Sequence, residues 1–249
     1  MPPFAERLLA CAATLGRGAR AGYLMRRAAS SEDWAAVRAL RRAALASHGD
    51  IAPAAGDWEG DRHDAAPGTR TFLLLKDGRP VGSTRASCTT PAAPQRLPAM
   101  DAFERDLAPM AEAGAVVEAG LTVVDPDAPD PMAAAFHLFK AHMLACASCE
   151  AAWLVAAVRE TRIGFYRRVL GMEILGGAEK VPGLAVPRVL MGLRFRERAP
   201  DLAKRIPLLS FTERDERRYA ARGEVAFEAG RSAVPAREPR GGPVAIHRA

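Results

Sequence analysis

Thr71–Lys76 is an apolar run, Asp77-Gly78 follows it, and Arg79–Ser87 returns as a second run. Two adjacent residues that tolerate positive φ, set between two strand-forming runs, specify a β-hairpin with a tight turn. Strands joined by two residues run antiparallel, so a hairpin in mid-chain excludes an all-parallel, doubly wound sheet. The flanking patterns fill in the rest. Alternation marks a strand at Tyr23–Arg27. Ser30 and Ser31 before Glu32 and Asp33 cap a helix whose apolar face is Trp34, Val37, Leu40 and Leu45 and which should end near Gly49. A short helix is expected near Ala99–Leu107, a strand at Ala115–Val124, and a proline-rich turn at Asp125–Pro131. Met132–Cys149 reads as a helix, Ala152–Val158 as a strand, Thr161–Leu170 as a helix, and Met172–Leu175 and Arg188–Phe195 as strands. This order predicts an α/β fold with a mixed central sheet flanked by helices.

With 249 residues and 49% hydrophobic content, the chain can build one sizeable core, which we place at 23–195. Residues 1–22 carry Phe4, Leu8, Leu9 and Leu15 at helical spacing and read as a helical extension, with an arginine-rich transit peptide as the alternative. Beyond Pro200 the alternation fails, so 196–249 reads as a peripheral tail, disordered over 230–249. No apolar run reaches the roughly 18 residues of a membrane helix, and no integral membrane segment is expected. Four cysteines make no disulfide framework and suit a reducing, cytoplasmic setting. The basic excess sits at the two ends while 43–195 is mildly acidic, which argues against a nucleic-acid-binding face.

One carboxylate stands out. Glu118 lies inside an otherwise apolar strand and, by a period of two, shares a face with Val116, Gly120 and Thr122. Burying a charge requires a partner or a task. Glu118 is therefore either a general base with a pKa raised by desolvation or the partner of Arg85 on the neighbouring strand. Asp61 and Asp64 are three apart and would face the same way on a helical turn, where they could hold an ammonium group or an arginine. Cys146 and Cys149 lack a second Cys/His pair, so they read as small packed residues and no metal is expected. His137 and His142 lie five apart on one helix and read as packing or surface groups.

Four segments in this order resemble the GCN5-related N-acetyltransferase superfamily, and within it the acyl-homoserine-lactone and N-acyl amino acid synthases. Glu59-Gly-Asp61-Arg-His-Asp64 resembles their acidic stretch. Asp77-Gly-Arg-Pro-Val-Gly-Ser-Thr-Arg85 resembles their hairpin ending in a functional Arg. Val116-Val-Glu118-Ala-Gly-Leu-Thr-Val-Val124 resembles their glutamate-bearing strand, while Gly164-Phe-Tyr-Arg-Arg-Val-Leu-Gly-Met172 resembles the late helix of the superfamily at large. The resemblance implies a mixed, mostly antiparallel sheet and an N-acyltransferase. Such an enzyme moves a long-chain acyl group from a carrier thioester to the amine of an amino acid or related small molecule. It further implies Glu118 as base, Tyr166 as proton donor to the thiolate, and Glu59, Asp61, Asp64 and Arg85 as substrate-binding residues. No cofactor is implied beyond the donor substrate, acyl carrier protein or acyl-coenzyme A. Two departures stand out. Leu121 occupies the place of an arginine, and the Tyr166–Gly171 gap is one residue longer than the acetyltransferase pattern. An ordinary coenzyme A acetyltransferase and an inactive binding protein on the same fold are the competing readings. Asp125–Pro131, with three acids, three prolines and no glycine, is poorly suited to a pyrophosphate and favours an acyl carrier protein as donor.

Overall fold

The computed structural model describes residues 22–51, 61–223 and 225. The helical extension expected over 1–22, Glu59, and the stretch expected to be disordered after 230 therefore lie outside the described residues, Gly22 excepted. The elements run β1 (Tyr23–Arg27), α1 (Ser31–Ser47), a 3₁₀ turn (Arg62–Ala65), β2 (Thr69–Lys76), β3 (Arg79–Thr89), α2 (Met100–Ala113) and β4 (Val116–Val124). They continue with α3 (Pro131–Ser148), β5 (Trp153–Val158), α4 (Ile163–Phe165, prolonged by a π-helical turn over Tyr166–Leu170), β6 (Glu173–Glu179) and β7 (Arg188–Arg194). Two further helices, α5 (Phe195–Arg205) and α6 (Glu213–Arg222), follow.

The seven strands form one sheet in the order β1-β2-β3-β4-β5-β7-β6, antiparallel at every pair except β4–β5. The hairpin turn forms where expected: Asp77 and Gly78 both adopt positive φ, 50° and 81°. Alternation along β2 sorts the two faces. Phe72 and Leu74 join the cluster built on α3, whereas Leu73 and Leu75 pack against Val37, Leu40 and Ala44 of α1.

Two local irregularities shape the middle of the sheet. Leu121 sits in the left-handed region at φ 45°, and the β3–β4 register passes from Arg85↔Gly120 to Ser83↔Val123, so Leu121 and Thr122 together oppose Thr84. This is a β-bulge, and it reverses the alternation. Before it, Glu118 faces the α2 side; after it, Val123 packs with α1 while Thr122 turns to the α3 side, its hydroxyl 2.7 Å from Thr84 Oγ1. The expectation that Thr122 shares a face with Glu118 is therefore corrected. The second irregularity is the π-helical turn. A π turn is an α-helix with one residue inserted, so it absorbs the extra residue between Tyr166 and Gly171, and Gly171 ends it at φ 72°.

The tail expectation is also corrected. Leu202, Ile206, Leu208, Leu209, Phe211 and Tyr219 are all buried in the main core, and Val225 bridges to Met25. Arg70 donates to the Tyr219 carbonyl at 2.8 Å and its guanidinium lies over the Tyr219 ring. Residues 196–223 carry few large apolar groups, but nearly all of them are buried. No described helix is long and apolar enough to cross a membrane.

Candidate active site

The parallel β4–β5 pair is short. Pairing covers Val116↔Trp153, Val117↔Leu154 and Glu118↔Val155, and then stops. Beyond Glu118 the two strands separate, β4 staying with β3 and β5 with β7, and a cleft of about 920 Å³ opens between them. Its walls include Ala119–Val124 on one side and Ala157, Val158, Phe165 and Tyr166 on the other. Glu118 thus sits at the apex, where the sheet forks.

Glu118 is 4% exposed and its Oε2 accepts the Ala99 N–H at 2.7 Å. Burial pushes its carboxyl above the usual carboxylate range, and the nearby Arg85 guanidinium and the Ala99 bond only partly offset this. Arg85 does not close an ion pair with it. Instead Arg85 Nη1 lies 2.9 Å from Asp61 Oδ2 and 3.8 Å from Asp64 Oδ1, and Arg85 Nε is buried without a hydrogen-bond partner among the described residues. Of the two roles considered for Glu118, the ion pair with Arg85 is absent among the described residues. Gly120 leaves room here: a Cβ would fall 3.2 Å from Arg85 Nη2 and 3.4 Å from Glu118 Oε1, close enough that those side chains would have to shift slightly.

Asp61 caps the 3₁₀ turn, its Oδ1 accepting the His63 N–H at 2.9 Å. Burial raises its carboxyl, but Arg85 and that backbone bond outweigh burial and hold it below the usual range. Asp64 faces the same way, as the spacing implied. Its partners are protein groups: Arg41 Nη1 at 2.6 Å and the Thr71 hydroxyl at 3.0 Å. Asp61 lines the cleft, while Asp64 lies behind it as a brace. Tyr166 stands on the opposite wall, edge-on to Phe139 and Phe165, its hydroxyl pushed up to about 12 by burial. It stays protonated at neutral pH.

Three features escaped the sequence reading. His63 lines the cleft, with Nε2 2.9 Å from Asp101 Oδ2. Buried Asp50 closes another part of the cleft, taking Arg188 Nη2 at 2.7 Å on one oxygen and Arg159 Nε at 3.1 Å on the other. Buried Arg41 anchors Asp64. His63 sits inside the acidic stretch itself, so its position was available; its partner, 38 residues away, was not.

At the start of α3 most of the turn's backbone donors are missing or already bonded. Pro126, Pro129 and Pro131 have no N–H, and the amides of Asp125, Asp127, Ala128, Ala133 and Ala134 are bonded to Val81 O, Asp125 Oδ1, Asp125 O, Asp130 Oδ1 and Asp130 O. Cys146 is buried in α3 and His142 is fully buried against Thr84, with burial lowering its imidazole to about 4. Among the described residues no group of His, Cys, Asp and Glu could hold a metal ion.

A profile of the N-acyl amino acid synthase FeeM family matches residues 36–194. Among solved structures, FeeM from uncultured soil microbes superposes with a TM-score of 0.60 at 17% identity, covering 71% of this chain and 93% of that one. BjaI, described as a coenzyme A-dependent acyl-homoserine lactone synthase, gives 0.51 at 18% identity over 75% of this chain and 90% of its own. No match was found among curated proteins.

Proposed function

The chain belongs to the N-acyl amino acid synthase FeeM family and is an acyltransferase of the GNAT fold; on that premise we propose that it joins a long-chain acyl group, delivered as a thioester on an acyl carrier protein, to the amine of an amino acid or a related small molecule. The observation that carries this reading is the position of Glu118, a buried carboxylate at the fork of β4 and β5 with one oxygen uncommitted among the described residues. The thioester enters the fork. Beyond Glu118, the β5-facing edge of β4 has no strand partner, so its backbone N–H groups are free to stabilise the oxyanion. The acceptor nitrogen attacks the carbonyl carbon, and Glu118 takes the proton lost as the N–C bond forms. The C–S bond breaks, and Tyr166, still protonated at neutral pH, supplies the proton that turns the thiolate into a free thiol. Asp61 and Arg85 form the polar wall against which the acceptor is held.

The scarcity of free amides at the start of α3 supports the carrier protein as donor. Coenzyme A brings a pyrophosphate that needs several free amides, whereas a carrier's arm brings one phosphodiester. Release of free thiol from an acyl thioester in the presence of mixed amino acids tests the reaction. Comparing kcat/KM for acyl carrier protein and acyl-coenzyme A tests the donor. Binding of either thioester without thiol release would remove the reading, and equal kcat/KM values would remove the donor assignment.

A further inference from the structure

The acceptor nitrogen arrives as an ammonium and leaves as an amide N–H, so each turnover strips two protons from it. One replaces the proton given to sulfur and the other goes to solvent. Glu118 is buried and one of its oxygens is committed to Ala99. It is equipped to take one proton, at the moment of attack, and poorly placed to discharge a second to water.

His63 has the complementary placement. Its side chain is 15% exposed and lines the main cleft together with Glu118 and Asp61. With Arg62 and Asp101 it also lines a second recess, of about 690 Å³, bordered by Pro94, Gln95 and Arg96. It therefore stands between the reacting cleft and a separate opening. Nε2 has two neighbours, the Asp101 carboxylate at 2.9 Å, which can only accept, and Arg62 Nε at 3.4 Å, which can only donate; the shorter contact assigns the hydrogen to Nε2 and leaves Nδ1 with its lone pair. Asp101 thereby fixes the orientation of the ring. The two halves of the arrangement are tied together. Ala99, which bonds Glu118, precedes Asp101 at the start of α2, and Asp61, which pairs with Arg85, accepts the His63 backbone N–H.

We propose that His63, oriented by Asp101, is a second catalytic base, which takes the first proton from the bound acceptor ammonium and releases it through the outer recess. Glu118 then takes the second proton as the N–C bond forms. The inference rests on the acyl-transfer reading above. The charged groups facing His63 are Asp61 and Arg62 on its own turn, Asp101 on α2, and Glu118 on β4; Arg85 and Arg96 act through Asp61 and Asp101.

The test compares wild type with His63→Gln, each with two acceptors: an amino acid, ionised at neutral pH, and an alkoxyamine, which is already an un-ionised nucleophile. With the amino acid, His63→Gln should lower kcat/KM by roughly 10²-fold, the usual value of a positioned base. That loss should shrink at least tenfold with the alkoxyamine, and should shrink with the amino acid too as pH is raised. Glu118→Gln should penalise both acceptors alike. Equal losses of His63→Gln with both acceptors would make His63 a packing group and overturn the proposal, as would no loss with either. Melting temperatures of the same samples separate unfolding from lost chemistry. Failure of wild type to release thiol with any amine would instead overturn the acyl-transfer reading, and this inference with it.

Discussion

The cleft holds two buried Asp/Arg clusters that are alike in composition and opposite in completeness. Asp50 is saturated: both oxygens are bonded to guanidinium groups, and those arginines also donate to the carbonyls of His48, Val186 and Pro187. This cluster ties the end of α1 to the end of β5 and the start of β7. At the fork, Arg85 keeps a buried Nε without a hydrogen-bond partner among the described residues, and only one Glu118 oxygen is engaged there. Buried donors left unmade cost about 1–3 kcal/mol each. A fold that carries them beside a cleft has kept polar capacity for a visitor. The first cluster is a clamp and the second is a site.

Substitutions should divide along that line. The largest effect belongs to Glu118→Gln, which keeps shape and the Ala99 bond but removes proton acceptance. Acyl transfer should fall roughly 10²–10⁴-fold with no loss of melting temperature. A well-folded Gln variant with near-native turnover would falsify the assignment. Asp50→Ala should do the reverse. Stranding two buried guanidinium groups costs about 3–5 kcal/mol, read as a lower denaturation midpoint, with kcat per folded molecule little changed. If kcat instead collapses in folded protein, the clamp is part of the site. Asp61→Asn should fall between them, weakening the hold on Arg85 and raising KM about tenfold, with a smaller change in stability than Asp50→Ala. A loss confined to kcat would show that Asp61 serves the chemistry rather than the acceptor.

The smallest effect is a pH signature. Burial raises the Glu118 carboxyl above 4.5, so the native state holds this proton more tightly than the unfolded chain. The stability from this group is fully present below about pH 4.5 and is lost as pH rises through its native value. The melting temperature of Glu118→Gln relative to wild type should therefore climb with pH over that window. His142 works in the other direction. Its imidazole is lowered to about 4 by burial, so protonation favours the unfolded chain between the usual value of 6.5 and 4, and acid weakens the fold there. Thermal scans of wild type and Glu118→Gln across this range would separate the two contributions.

The strand and helix order over 23–194 and the Asp77-Gly78 hairpin were legible in the sequence, because period-two and helical patterns and turn residues are local signals, whereas the grouping of Asp61 and Arg85 with Glu118 came from the family resemblance and not from any local pattern. Tertiary structure decided what those signals do not encode. The bulge depends on Leu121 adopting a left-handed backbone that leucine does not favour, held by the strands around it, and it alone turned Thr122 away from Glu118. The docking of 196–223 depends on where a few apolar groups point and not on how many there are, so Tyr219 and Phe211 reach the core from segments that read as polar. Asp64 was one of two matched acids until Arg41, distant in sequence, claimed it. The His63–Asp101 and Asp50–Arg188 pairs join residues 38 and 138 positions apart. The sequence set which groups could ionise and roughly which elements would carry them. Which charges met, and which were left unmet at the fork, followed from long-range packing.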